Sequence, residues 1–166
     1  MRRVPREADE SGASLVEFAL VLPVFMMLVL GMFTGGLAYN RRIAVTQASR
    51  EGARYGATLP AAGLTSGQWL DQVAGIVQAS ADGELSDTTA GEAICVARVS
   101  AGSVTSRQAT GTAVSYGTTL CFDDGRPFTE PRVQVIASRT SGFEALVFSR
   151  DLTLRSQAVS RFEASP

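Results

Sequence analysis

The chain has 166 residues, room for one domain of ordinary size and an anchor. Its formal net charge is −1, from 15 basic residues, all of them Arg, and 16 acidic ones, so no basic field suits nucleic acid as a partner. His is absent, which removes the commonest general base and the commonest metal ligand, and the two cysteines, Cys95 and Cys121, make at most one pair.

Residues 1–12 form a polar leader with Arg2, Arg3 and Arg6 but also Glu7, Asp9 and Glu10. Residues 19–38 then carry no charge. As a helix rising 1.5 Å per residue, that run spans about 30 Å, the thickness of a bilayer's hydrocarbon core. A cleaved secretory signal has a shorter apolar region and a small-x-small site after it. Here the chain runs on in helical phase into Tyr39-Asn40-Arg41-Arg42, so residues 13–38 read as a retained transmembrane helix. Orientation stays open on charge alone, because arginines flank both ends. Pro23 removes one backbone bond and is expected to kink the helix, while Gly31 and Gly35 have the G-x-x-x-G spacing of close helix contacts.

Residues 39–57 read as an amphipathic extension, with Tyr39, Ile43, Ala44, Ala48 and Tyr55 on one face and Arg41, Arg50, Glu51 and Arg54 polar. Arg50-Glu51-Gly52-Ala53-Arg54-Tyr55 reads locally as a solvated helix end, and the whole helix is expected over residues 14–57. Residues 58–67, rich in Gly, Ala, Pro and Thr, read as a linker. Ser66 is placed to cap a second helix reaching about Ala81, with Trp69, Leu70, Val73, Ile76 and Val77 as a core-facing stripe. The acids Asp82, Glu84 and Asp87 do not have the spacing of a calcium loop, and residues 82–91 read as a solvated turn.

The remainder reads as strands: residues 93–99, 112–122 with an interruption at Gly117, 132–138, and 152–159, with a Gly/Ser/Thr-rich loop over 100–111. Phe143, Leu146, Val147 and Phe148 form an apolar patch that either folds over the sheet or docks elsewhere. Residues 58–166 are thus expected as an α+β domain: a short helix and a C-terminal antiparallel β-sheet, preceded by the long N-terminal helix. If the strands bearing Cys95 and Cys121 pair, these two can form a disulfide; otherwise they are core thiols. No nucleophile elbow, P-loop, C-x-x-C or metal-spaced set occurs, Asp123-Asp124 reads as a turn, and neither an enzyme nor a cofactor is expected.

The residue that asks for explanation is Glu17. A carboxylate within a span costs about 2.5–3.5 kcal/mol at its centre on insertion scales and less near its end. Either Glu17 rests at the headgroup boundary without a partner, or it has one. Gly12, Ala13, Glu17 and Phe18, followed by an apolar helix, resemble the processing site of type IV prepilins and pseudopilins. More narrowly, Glu17-Phe18-Ala19-Leu20-Val21-Leu22-Pro23 together with Ala48-Ser49-Arg50-Glu51-Gly52-Ala53-Arg54-Tyr55 resembles TadE-like proteins, minor pseudopilins of the Tad (Flp) pilus assembly and secretion systems. The resemblance covers about a quarter of the chain, residues 12–57, and departs from it in the acidic leader and in Phe18, where many members carry Tyr.

That resemblance implies a pilin-like fold and a cut between Gly12 and Ala13 by a prepilin peptidase on the cytoplasmic side. It implies a single pass through the bacterial cytoplasmic membrane, with residues 58–166 outside. Its partners would be the lipid bilayer, the peptidase, other pilins or pseudopilins and the Tad inner-membrane assembly proteins. The new α-amino group on Ala13 would lie four residues from Glu17, and the amine of one subunit could neutralise Glu17 of the next. The competing expectation is a single-pass anchored domain that binds an envelope component and never enters a filament.

Overall fold

The computed structural model describes residues 7–86, 90–100, 102–145 and 148–162. It is an α+β protein: a long N-terminal helix, a second short helix, and an antiparallel sheet of five strands.

Helix α1 runs from Glu7–Thr58 without interruption, through Pro23. It therefore begins seven residues before the expected start, inside the stretch expected to be a leader. Its two halves live differently. From Leu15 to Phe33 the large apolar side chains are exposed, for example Phe18 at 63% and Met32 at 76%. Further along, Val45, Ala48, Ser49, Gly52, Ala53, Gly56 and Ala57 are buried, a stripe at spacings of three and four. This corrects the face expected from sequence. Tyr39 and Ile43 are exposed, and the helix turns its small residues to the core, because only they let its backbone approach the sheet.

Helix α2 (Ser66–Ala79) is capped by Thr65, not by Ser66. Gln68 N–H donates to Thr65 Oγ1 and Thr65 N–H donates to Gln68 Oε1, a capping box. The stripe of α2 is buried at Trp69, Leu70, Val73, Ala74 and Val77, with Ile76 half-buried.

The strands are β1 (Glu92–Ser100), β2 (Ser103–Thr110), β3 (Ala113–Gly117), β4 (Arg132–Ala145) and β5 (Phe148–Arg161), in the order β3-β2-β1-β4-β5, all antiparallel. Strand β2 lies where a loop was expected. Its residues are polar and small, so sequence alone showed no apolar alternation, yet Val104, Ser106 and Ala109 are buried between neighbours. Conversely, the expected strand over 112–122 ends at Gly117, and β4 and β5 are each about twice the expected length. Residues 146–147 of the apolar patch, and the side chains of Phe143 and Phe148, lie outside the described residues.

Both helices pack on one face of the sheet, α1 over β4 and β5 and α2 over β1 and β2. Ile94, Val96, Val133, Val135 and Ala137 meet them there. On the opposite face, Ala97, Val99 and Val104 form a smaller cluster with Leu120 and Cys121. That second cluster follows from topology. Strand β3 is at one edge, so the chain must cross β2 and β1 to begin β4 beside β1, and residues 118–131 make that crossing.

Candidate assembly site on the N-terminal helix

Gly12, Ala13, Glu17 and Phe18 all lie in α1 and are exposed. One helical turn separates Ala13 from Glu17, so the two positions share a face. No described part of the head covers them. The helix is long and apolar enough over Gly12–Thr58 to cross a membrane, by length and composition, and its most apolar window has no buried residue. Pro23 lies within this exposed stretch, and the helix continues on both sides of it. Residues 1–6 of the expected leader lie outside the described residues.

The second group of singled-out residues sits at the far end of the same helix. Arg50, Glu51 and Arg54 are exposed, Tyr55 is half-buried against the core, and Gly52 and Ala53 are buried. The segment is therefore a packing surface and not a solvated helix end. A Cβ on Gly52 would lie 2.2 Å from Val77 Cγ2, and one on Gly56 would lie 3.0 Å from Val133 Cγ1 and 3.3 Å from the Trp69 ring. The glycines let α1 approach α2 and β4 at close range. The small-residue spacing from Val45 to Ala57 was the signal that would have found this face.

Where α1 leaves its apolar run, a collar of charge joins it to the head. Arg41 Nη1 donates to Ser141 Oγ (2.8 Å), and Arg41 also faces Glu84 across 3.7 Å. Arg139 pairs with Glu84 (2.6 Å) and approaches Glu92 (3.5 Å), whose carboxylate also accepts from Ser86 N–H. Glu84 thus ties residues 82–86 to the helix and the sheet, which corrects the reading of that stretch as simply solvated; Leu85 is buried beside it. Deeper along α1, the hydroxyls of Ser49 and Ser156 lie 2.8 Å apart and link it to β5.

Cys95 and Cys121 are joined as a disulfide, with Cα atoms 5.8 Å apart. Their route differs from the expected one. Cys95 is in β1 and Cys121 in the crossing segment, with β2 and not the cysteine's own strand paired to β1. At the other end of that segment Arg132 is fully buried. Its guanidinium donates to the carbonyls of Pro127 (2.7 Å), Glu130 (3.0 Å) and Arg126 (3.2 Å) and pairs with Asp124 at 2.7 Å. Burial pushes the Asp124 carboxyl up, but the Gln134 amide, Arg132, the Arg126 N–H and the Arg132 charge outweigh it, leaving its pKa below the ordinary value. Nothing in the sequence marks Arg132 as buried.

Two further polar arrangements are structural. Asp71 of α2 pairs with Arg107 (2.8 Å) and accepts from Tyr116 Oη (2.7 Å), and that bond to a carboxylate raises the Tyr116 pKa. The Arg98 guanidinium lies 5.4 Å from the Trp69 ring centre and 5.6 Å from that of Phe162. No group of metal-ligating residues occurs among the described residues; of the acidic trio, Glu84 serves the collar and Asp87 lies outside them. Two shallow concavities among the described residues lie along Tyr39, Ile43 and Gln47 of α1 and beside the disulfide at Leu120 and Ile136. Neither brings a nucleophile to a base.

A family model described as TadE-like protein matches residues 12–54. The matched stretch lies wholly within α1, from the exposed Gly12 to Arg54 beside the packed glycines. No curated protein and no solved structure matches the chain.

Proposed function

From a TadE-like N-terminal segment, consistent with a TadE-like protein of the Tad pilus system, we propose that the chain is a non-catalytic minor pseudopilin of Tad (Flp) pilus biogenesis or secretion. In this reading residues 1–12 are a leader removed by a prepilin peptidase, residues 13–38 cross the cytoplasmic membrane, and residues 58–166 form the outer domain. Residues 39–57 belong to that domain's core while continuing the membrane helix.

The observation that carries the proposal is the division of α1. One continuous helix has a half that no described residue covers and a half built into the head. An apolar surface of that size in water is costly, at roughly 25 cal/mol per Å² exposed, so it needs a lipid or protein environment. Such a helix can exchange lipid for neighbouring helices when a subunit leaves the bilayer for a filament, without refolding its head. Glu17 then has a role in assembly. Its carboxylate is stabilised on meeting the Ala13 amine of an adjacent subunit, which sets the register of helices packed side by side. The disulfide suits an oxidising exterior.

Intact mass of the native protein from membranes and from sheared pili tests this reading. The expected mature chain begins at Ala13, and Glu17→Ala is expected to lower filament assembly while leaving that cut in place. A full-length chain bearing Met1 that stays in the membrane would refute processing and leave an anchored adaptor domain.

A further inference from the structure

Two arginines follow the charge-free run, and their surroundings differ. Arg41 turns into the head, where Ser141 and Glu84 meet it. Arg42 is exposed, and its guanidinium has no hydrogen bond or ion pair among the described residues. In the orientation proposed above, both stand at the outer end of the span, against the usual bias of arginine to the inner side. A cation kept there gains from a counter-ion, and only Arg41 has one within the described chain.

Arg42 lines a shallow concavity on one flank of α1, with Tyr39, Ile43, Thr46, Gln47 and Arg50. These positions recur at spacings of three and four, so they share a face. Height along the helix decides what that face can meet. At 1.5 Å per residue, Arg42 stands about 6 Å beyond Ala38, the last residue of the charge-free run. The interfacial layer on each side of a bilayer is about 5–8 Å thick, so Arg42 stands at headgroup height. Arg50 and Arg54, about 18 and 24 Å beyond Ala38, stand clear of that layer.

We propose that Tyr39, Arg42, Thr46 and Gln47 seat the headgroup of an acidic phospholipid of the phosphatidylglycerol type beside the outer end of the span. The inference rests on the membrane reading of α1 and adds a ligand to it.

The chemistry divides among the residues. Arg42 presents a planar fork of donors to the phosphodiester, the group that carries the negative charge. Thr46 Oγ1 already donates to the Arg42 carbonyl at 2.8 Å. Toward a ligand it is therefore an acceptor, suited to a headgroup hydroxyl. The Gln47 amide both donates and accepts. Tyr39, 67% exposed, offers an apolar ring to the acyl boundary and a hydroxyl to the interface. A zwitterionic headgroup brings the same phosphate, but its ammonium is repelled by Arg42, so the seat favours a net anion.

Native mass spectrometry tests this on the full chain, its disulfide intact, in detergent micelles with phosphatidylglycerol and phosphatidylethanolamine at equal concentration. The readout is the ratio of the two single-lipid adducts. The expected ratio is about fivefold in favour of phosphatidylglycerol, the usual contribution of one arginine at an anionic membrane surface. Arg42→Gln is expected to bring it near one. Arg54→Gln, the same loss of charge farther from the span, is expected to leave it unchanged. Both side chains are exposed and without a partner among the described residues, so neither change disturbs the fold. Flotation with carbonate-washed vesicles of the same two lipids runs in parallel. A native chain that floats but shows a ratio near one overturns the seat and leaves the anchor standing. Equal loss in both variants shows a diffuse attraction of charge and overturns the seat as well. A dimer that disappears in Arg42→Gln, with no lipid preference, assigns Arg42 to a second copy of the chain instead. A chain that does not float overturns the anchor, and the seat with it.

Discussion

Gly52 is the residue at which the fold has least room. A methyl group there would sit 2.2 Å from Val77 Cγ2, well inside contact distance, and the backbone of α1 is held from both sides. Gly52→Ala is therefore expected to lower stability by about 1–3 kcal/mol, the usual cost of overpacking, although Ala is the better helix former by about 1 kcal/mol. Adding Val77→Ala should recover part of the loss. Gly75→Ala, on the open side of α2 with nothing within 4 Å, should instead raise stability by up to about 1 kcal/mol. Thermal unfolding in detergent, followed by near-ultraviolet circular dichroism, separates the three. The sequence showed a glycine within a motif. The clash partner is 25 positions away in the chain, which no local pattern encodes.

Among the elements, residues 118–131 depend most on fastenings other than regular structure. The disulfide holds the start of the crossing and the buried Arg132–Asp124 pair holds its end. Closing 26 residues stabilises the fold by roughly 3.5 kcal/mol on the chain-entropy model. Asp124 has a pKa lowered in the folded chain, so its contribution is fully present above the unfolded value of about 3.9 and is lost as pH falls through the lower folded value. Reduction is thus expected to admit protease within 118–131 before any other part of the head, and acid below about pH 4 to widen that opening. Asp124→Asn should abolish the acid step but lower stability by about 3–5 kcal/mol, because the Arg132 charge stays buried without its partner. Limited proteolysis with mass mapping, run against pH with and without reductant, checks both. The sequence located the two cysteines but not the crossing, since residues 118–131 have no period to read.

At the scale of the molecule, α1 belongs to two environments. Val45, Ala48, Ala53 and Ala57 form a wall of the main core, so the second half of the helix is part of the head. The uncovered first half contributes nothing to that core. A chain beginning at Tyr39 is expected to fold in water, with the near-ultraviolet signal of Trp69, which is fixed by Phe162 at 6.3 Å and by its Nε1–H bond to the Leu59 carbonyl. One beginning at Leu59 is expected to lose that signal, having exposed Trp69, Val73 and Val77 together. A folded chain from Leu59 would show that the helix is only a tether.

What the sequence by itself determined are the features set by near neighbours. A charge-free run long enough to cross a bilayer, a helical period from Trp69 to Val77, and alternation in β1 and β4 are all written within a few turns or residues, as are the Gly12–Phe18 and Arg50–Tyr55 motifs. Only the tertiary structure decided which face of residues 39–57 is buried, that the polar residues of β2 form a strand, how far the β4–β5 hairpin extends, and that Arg132 lies in the interior. Each of these depends on a partner distant in the chain. A small residue, a hydroxyl or a guanidinium becomes core only when the sheet order and the crossing segment bring its counterpart across from another element.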